Sequence, residues 1–277
     1  MLKKSIYIIV VPLFFLISCK KDPSLFKIKN LNSNRISVFG HGGMGIDCIE
    51  PMNSFESLSQ CLTLGSDGAE LDVSVTKDCV LVLFHNLKLE ETTNNNGFIK
   101  NKRWDEIKNC KYNQPIFSKA NLIDASYFFD RVKEKKTKLF TFDCKVRLED
   151  NIDYLNLFAE TLIRHIDKYN LIDRCFVESY NLLFLKILQQ KNTNIRISLY
   201  TSEYNTAIEE SKKNKLFGLT IDINKISSNE IKLAHQNNLF VTLFNVKNEE
   251  DNIKAIEMNP DFIQTDKVDF LVNALKE

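Results

Sequence analysis

Gly68-Ala69-Glu70-Leu71-Asp72-Val73-Ser74-Val75-Thr76-Lys77-Asp78-Cys79-Val80-Leu81-Val82-Leu83-Phe84-His85 is the stretch on which the fold turns. Ala69 to Val75 alternates in the manner of a strand, and a second apolar run, Val80 to Phe84, follows after only Thr76-Lys77-Asp78-Cys79. Four residues are too few for the crossover that a parallel neighbour requires, so the two runs must form an antiparallel hairpin. Folding it about Lys77 and Asp78 sets His85 opposite Glu70 and Leu83 opposite Asp72. Glu70 and Asp72, two apart on one strand, share a face, while Leu71 and Val73 take the other.

Away from this hairpin the chain changes rhythm. Short β-branched or aromatic runs, Ile36 to Gly40, Lys138 to Phe142, Cys175 to Glu178, Ile195 to Leu199, Gly218 to Ile221, Phe240 to Phe244 and Phe262 to Gln264, alternate with longer stretches of helical period. Asn151 to Tyr169 is the clearest of these, with Ile152, Leu155, Phe158, Ala159, Leu162, Ile163 and Ile166 on one stripe, and Leu182 to Gln190 is another. With Ala69 to Val75 the strands number eight, as a closed (β/α)8 TIM barrel needs, and the hairpin is an addition after the second strand.

The N-terminus is of another kind. Lys3 and Lys4 precede a mostly apolar run, Ile6 to Ile17, too short to span a hydrocarbon core of about 30 Å. It reads as a signal peptide over residues 1–18. Leu16-Ile17-Ser18-Cys19 resembles the lipobox of bacterial lipoproteins, which implies lipidation of Cys19, a polar tether over 19–34, and an exported domain over 35–277 held at a bacterial membrane. Across all 277 residues, 37 Lys and Arg balance 36 Asp and Glu, so no net field draws the chain to nucleic acid. The seven Cys include no C-x-x-C pair, which leaves neither a disulfide scaffold nor a structural zinc site indicated.

Polar chemistry gathers at the predicted strand ends. Gly40-His41-Gly42-Gly43 follows the first strand, where barrels place their active-site loops. Asp143 and Lys145 repeat the two-residue spacing of Glu70 and Asp72 after the next strand, adding an acid for a hard metal and an ammonium for an anion. His165 and His235 fall in helical stretches and read as structural. Two imidazoles, three carboxylates and an ammonium at strand ends fit metal-assisted phosphoryl chemistry.

In order along the chain, His41-Gly-Gly, Pro51-Met52-Asn53-Ser54, Gly68 to Val73, Thr76-Lys77-Asp78, Val80 to His85, Thr92-Thr93 with Gly97, Asp143-Cys144-Lys145, Glu178-Ser179-Tyr180 and Asp261 to Asp266 resemble the glycerophosphodiester phosphodiesterase family. That resemblance implies a barrel with a small insertion at about 87–124 and His41 and His85 as the acid and base pair. It also implies Glu70, Asp72 and Asp143 as ligands of Ca²⁺ or Mg²⁺, and Lys145 and Asn53 as contacts of a small phosphodiester substrate. Gly42 stands where the family has Arg, Met52 where it has Glu, Asn86 where it has Asp, and Asp143 where it has Glu. Asp143 reaches one methylene less far than that Glu, which implies a shifted metal site. The competing reading is a non-catalytic surface lipoprotein that binds a polar head group or glycan on the same barrel.

Overall fold

The computed structural model describes residues 35–113 and 119–276. The signal peptide, Cys19 and the tether over 19–34 lie outside the described residues. Ten strands form one sheet: β1 (Ser37–Gly40), β2 (Gly68–Val75), β3 (Leu81–Leu83), β4 (Ile123–Asp124), β5 (Leu139–Cys144), β6 (Cys175–Ser179), β7 (Arg196–Thr201), β8 (Gly218–Asp222), β9 (Phe240–Val246) and β10 (Phe262–Thr265). Eight are parallel, in the order β1-β10-β9-β8-β7-β6-β5-β2, and the pairing of β1 with β2 closes the ring. Helices between the ring strands cover its outside, which makes the fold a closed (β/α)8 barrel.

The eight ring strands coincide with the eight predicted runs to within a residue or two, because each is a buried β-branched or aromatic segment of strand length. The helix Ile152–Lys168 begins where Asn151 accepts the Tyr154 N–H. Leu155, Phe158, Ala159, Leu162 and Ile166 are fully buried, whereas Ile152 lies at the stripe's edge and is exposed.

β3 and β4 lie outside the ring. β2 and β3 form the expected hairpin, but Val73 pairs with Leu83, one residue away from the register read from sequence. Cys79 adopts a left-handed conformation (φ 63°), and the turn closes through Thr76 N–H to Val80 O and Cys79 N–H to Thr76 O. This turn length moves the pairing by one, which puts Phe84, not Leu83, beside Asp72, its N–H on the Asp72 carbonyl at 3.0 Å. His85 lies beyond the last paired residue, where the chain bends out of the ladder. Val82 and Phe84 then face a small separate core with Leu89, Ile99, Ile107 and Tyr112, contributed by the segment after His85.

The barrel interior is layered. Phe39, Phe176 and Phe262 plug its lower part, with ring centroids 4.9 to 5.9 Å apart, and a Cβ at Gly68 would lie 2.8 Å from the Phe39 ring. Two residues further along the same strands come His41, Glu178 and Gln264. Strand periodicity therefore lays the polar groups directly on an aromatic floor.

Candidate active site

The loop after β1 begins the site. Gly42 and Gly43 have φ of +53° and +103°, a path that suits glycine, and the Gly42 N–H donates to Glu70 Oε2 at 2.7 Å. A Cβ at Gly42 would lie 2.7 Å from Met52, so these two departures from the family pattern touch: the small residue makes room for the thioether. Asn53, also left-handed (φ 64°), is fully buried. Its Nδ2 donates to Asp72 Oδ2 at 2.6 Å and its Oδ1 accepts the Asp72 N–H at 3.0 Å, so it fixes Asp72 from both ends.

His41 faces the loop after β10. Its Nδ1 lies 2.7 Å from Asp266 Oδ1, a carboxylate that also accepts the Ile46 N–H. Burial opposes charging of the imidazole, but the Asp266 bond and charge outweigh it, and the His41 pKa is raised. Nδ1 therefore carries a hydrogen, and Nε2 is left for chemistry.

Across the mouth, His85 has its ring centroid 6.4 Å from that of His41. Its Nδ1 is 2.7 Å from Asn86 Oδ1, and the Asn86 Nδ2 donates to Glu91 Oε2 at 2.7 Å. Because the amide nitrogen is committed to a carboxylate, the amide oxygen must face the imidazole. Nδ1 is then the donor, and the lone pair of neutral His85 sits on Nε2. The charge that Asn86 lacks thus arrives one bond further on, from Glu91.

The acids lie between and below the imidazoles. Asp72 and Asp143 are Cα partners across β2 and β5, and Lys145 Nζ bridges them at 2.6 and 2.5 Å. Burial would raise Asp72, but Lys145 with His85 and His41 holds it well below the usual carboxylate range. Burial raises Asp143, raises Glu70 strongly, and pushes Glu178 up to about 7 with help from the Asp143 charge. Lys145, despite its own burial, is held charged by Asp143, Asp72 and Glu70. Glu70, Asp143 and Glu178 bring carboxylate oxygens within 4.8 Å of one another. The set gathered here and the set Glu70, Asp72 and Asp143 read from sequence differ by one residue.

Carboxylate oxygens are the donors that Ca²⁺ and Mg²⁺ take. Glu70 Oε1 is buried with no hydrogen-bond partner, a costly condition unless a positive group meets it. The residues fit a hard divalent cation.

A cavity of about 400 Å³ opens beside His85, walled by Ile46, Pro51, Met52, Phe84 and Tyr112. A slightly larger one, about 460 Å³, between Phe55, Trp104 and Tyr127 holds none of the candidate residues. The other histidines are tied down elsewhere: His165 between Thr161 O and Ser126 Oγ, and His235 on Asp261. Sequence reasoning assigned no role to Asp266, Glu91 or Glu178, although Asp266 and Glu178 lie inside the quoted motifs. Asp266 and Glu178 gain their roles from partners on distant strands and loops, and Glu91 acts on His85 through the Asn86 amide.

The profile of the Glycerophosphoryl diester phosphodiesterase family matches residues 41–270. A glycerophosphodiester phosphodiesterase of Caldanaerobacter subterraneus is 25% identical over 235 residues, covering 82% of this chain and 93% of that protein. Another from Bacillus subtilis is 23% identical, covering 82% of each. A glycerophosphodiester phosphodiesterase structure from Parabacteroides distasonis superposes with TM-score 0.76 at 21% identity, covering 88% of this chain and 98% of its own. An Oleispira antarctica phosphodiesterase in complex with the product sn-glycerol-3-phosphate superposes with TM-score 0.77 at 16% identity, covering 88% and 98%.

Proposed function

The chain belongs to the glycerophosphoryl diester phosphodiesterase family and is an enzyme of that kind, and on this premise we propose that it hydrolyses glycerophosphodiesters to glycerol 3-phosphate and an alcohol, with His41 as general acid and His85 as general base. The observation that carries this reading is the facing pair of imidazoles, 6.4 Å apart, over buried carboxylates and a single ammonium. The product named for the Oleispira structure is the one expected here.

The proton roles follow from the hydrogen bonds. His41, its pKa raised by Asp266, keeps a proton on Nε2 to give to the leaving alcohol. His85, with Nδ1–H held by Asn86, presents the Nε2 lone pair that takes a proton from the attacking water as its oxygen bonds to phosphorus and the bond to the alcohol oxygen breaks. Lys145, with two carboxylates fixing its position, faces the phosphate oxygens. The buried carboxylates would hold a divalent cation, which would supply Lewis-acid neutralisation of the phosphate's charge. The partners that orient both imidazoles support this reading over a non-catalytic lipoprotein, which has no use for a fixed tautomer.

The test is hydrolysis of glycerophosphocholine by the full chain in detergent. His41→Ala and His85→Ala are each expected to lower kcat by about 10²- to 10⁴-fold. Unchanged kcat in both would overturn the assignment. The same reading extends to placement, with the domain exported and held at a membrane surface by lipid on Cys19, on the strength of Leu16-Ile17-Ser18-Cys19.

A further inference from the structure

Four carboxylates line the lower part of the site, and they are not equivalent. Asp72 is spoken for: Lys145 lies 2.6 Å from Oδ1 and the Asn53 amide 2.6 Å from Oδ2. Glu70 is half used, with Oε2 on the Gly42 N–H while the buried Oε1 has no partner. Asp143 gives Oδ2 to Lys145.

Glu178 is held from across the barrel. The Thr220 hydroxyl donates to its Oε2 and the Gln264 amide to its Oε1, each at 2.7 Å. Each oxygen of an ionised carboxylate has a second lone pair, so these bonds aim the group without exhausting it. Glu178 is also the Cα partner of Asp143 across β6 and β5, and paired residues of parallel strands point to the same face. Its oxygen lies within 4.8 Å of the other two acids. Oxygens about 2.3 to 2.6 Å from one Ca²⁺ can stand about 5 Å apart when they face each other across it, so the cluster is compact enough for its three carboxylates to close on a shared ion.

We propose that Glu178 is a metal ligand of this chain, completing with Glu70 and Asp143 a site displaced from Asp72 toward β6. The methylene that Asp143 lacks relative to the family's Glu is thereby recovered from the neighbouring strand. Asp72 is left to anchor Lys145 beneath the phosphate. This inference rests on the metal-dependent reading of the site.

Ca²⁺ binding to the full chain in detergent, followed by titration calorimetry after removal of divalent ions, tests it without recourse to turnover. Wild type is expected to bind one ion, Glu178→Gln to lose at least about tenfold in affinity, and Asp72→Asn to lose less than Glu178→Gln. Asp143→Glu added to Glu178→Gln is expected to recover most of the loss, because the longer side chain restores the missing reach. A Glu178→Gln protein that binds as wild type does, a larger loss in Asp72→Asn, or no recovery in the double variant each overturns the proposal. If those results come with wild-type binding and hydrolysis intact, the phosphodiesterase reading stands. A wild-type chain that hydrolyses diesters but takes up neither Ca²⁺ nor Mg²⁺ removes both the inference and the metal dependence beneath it.

Discussion

Asn86 Oδ1 on His85 Nδ1 is a neutral hydrogen bond doing what a carboxylate does elsewhere, and its value lies in the tautomer it enforces. Asn86→Leu is expected to lower kcat by about ten- to a hundredfold while leaving the unfolding midpoint unchanged, since Asn86 is only half-buried and both of its hydrogen bonds lie in exposed surroundings. An unaltered kcat would show that the ring needs no such holding. Asp266 acts on His41 by charge. An acid must be protonated to work, so activity falls as pH rises through the His41 pKa, which Asp266 holds up. Asp266→Asn should therefore move the alkaline limb of the kcat profile to lower pH, and a stationary limb would remove His41 from the acid role. His41, Glu70, Asp72 and Lys145 were legible in sequence because each lies on a strand or just past its end within an ordered motif. Asp266 and Glu91 were not, since their meaning lies in a bond to a residue more than two hundred positions away, or through an intervening amide.

At the level of elements, the alternation of apolar runs was enough to find all eight ring strands, because a parallel strand buried on both faces leaves an unbroken signature. Register was less accessible. One left-handed residue, Cys79, fixes the turn, and its conformation is not written in the pattern of hydrophobicity that announces the hairpin. The aromatic layer beneath the acids is likewise a product of strand period and barrel closure together, seen only when Phe39, Phe176 and Phe262 meet. Phe176 is fully buried two residues before Glu178 on β6. Phe176→Ala is expected to cost about 3 to 5 kcal/mol, read as a lower urea midpoint at unchanged slope, and a loss below about 1 kcal/mol would mean the floor can collapse and refill.

For the whole molecule, no helix of the described residues is long and apolar enough to cross a membrane. The proposed attachment rests on Leu16-Ile17-Ser18-Cys19 alone: wild type is expected to partition into the detergent-rich phase on cloud-point separation and Cys19→Ala into the aqueous phase, and equal partitioning would remove the lipid anchor. The barrel also joins its own ends. His41 follows β1, which pairs with β10, and Asp266 follows β10 just before the last helix, Val268–Ala274. The proton donor is therefore incomplete until synthesis has passed Asp266 and the last ring strand is in place. A nascent chain halted before residue 266 has both histidines and every acid of the cation cluster, yet no partner for the first imidazole. Forms that end before Asp266 would carry a weaker proton donor, and full competence would arrive late, when the ring shuts.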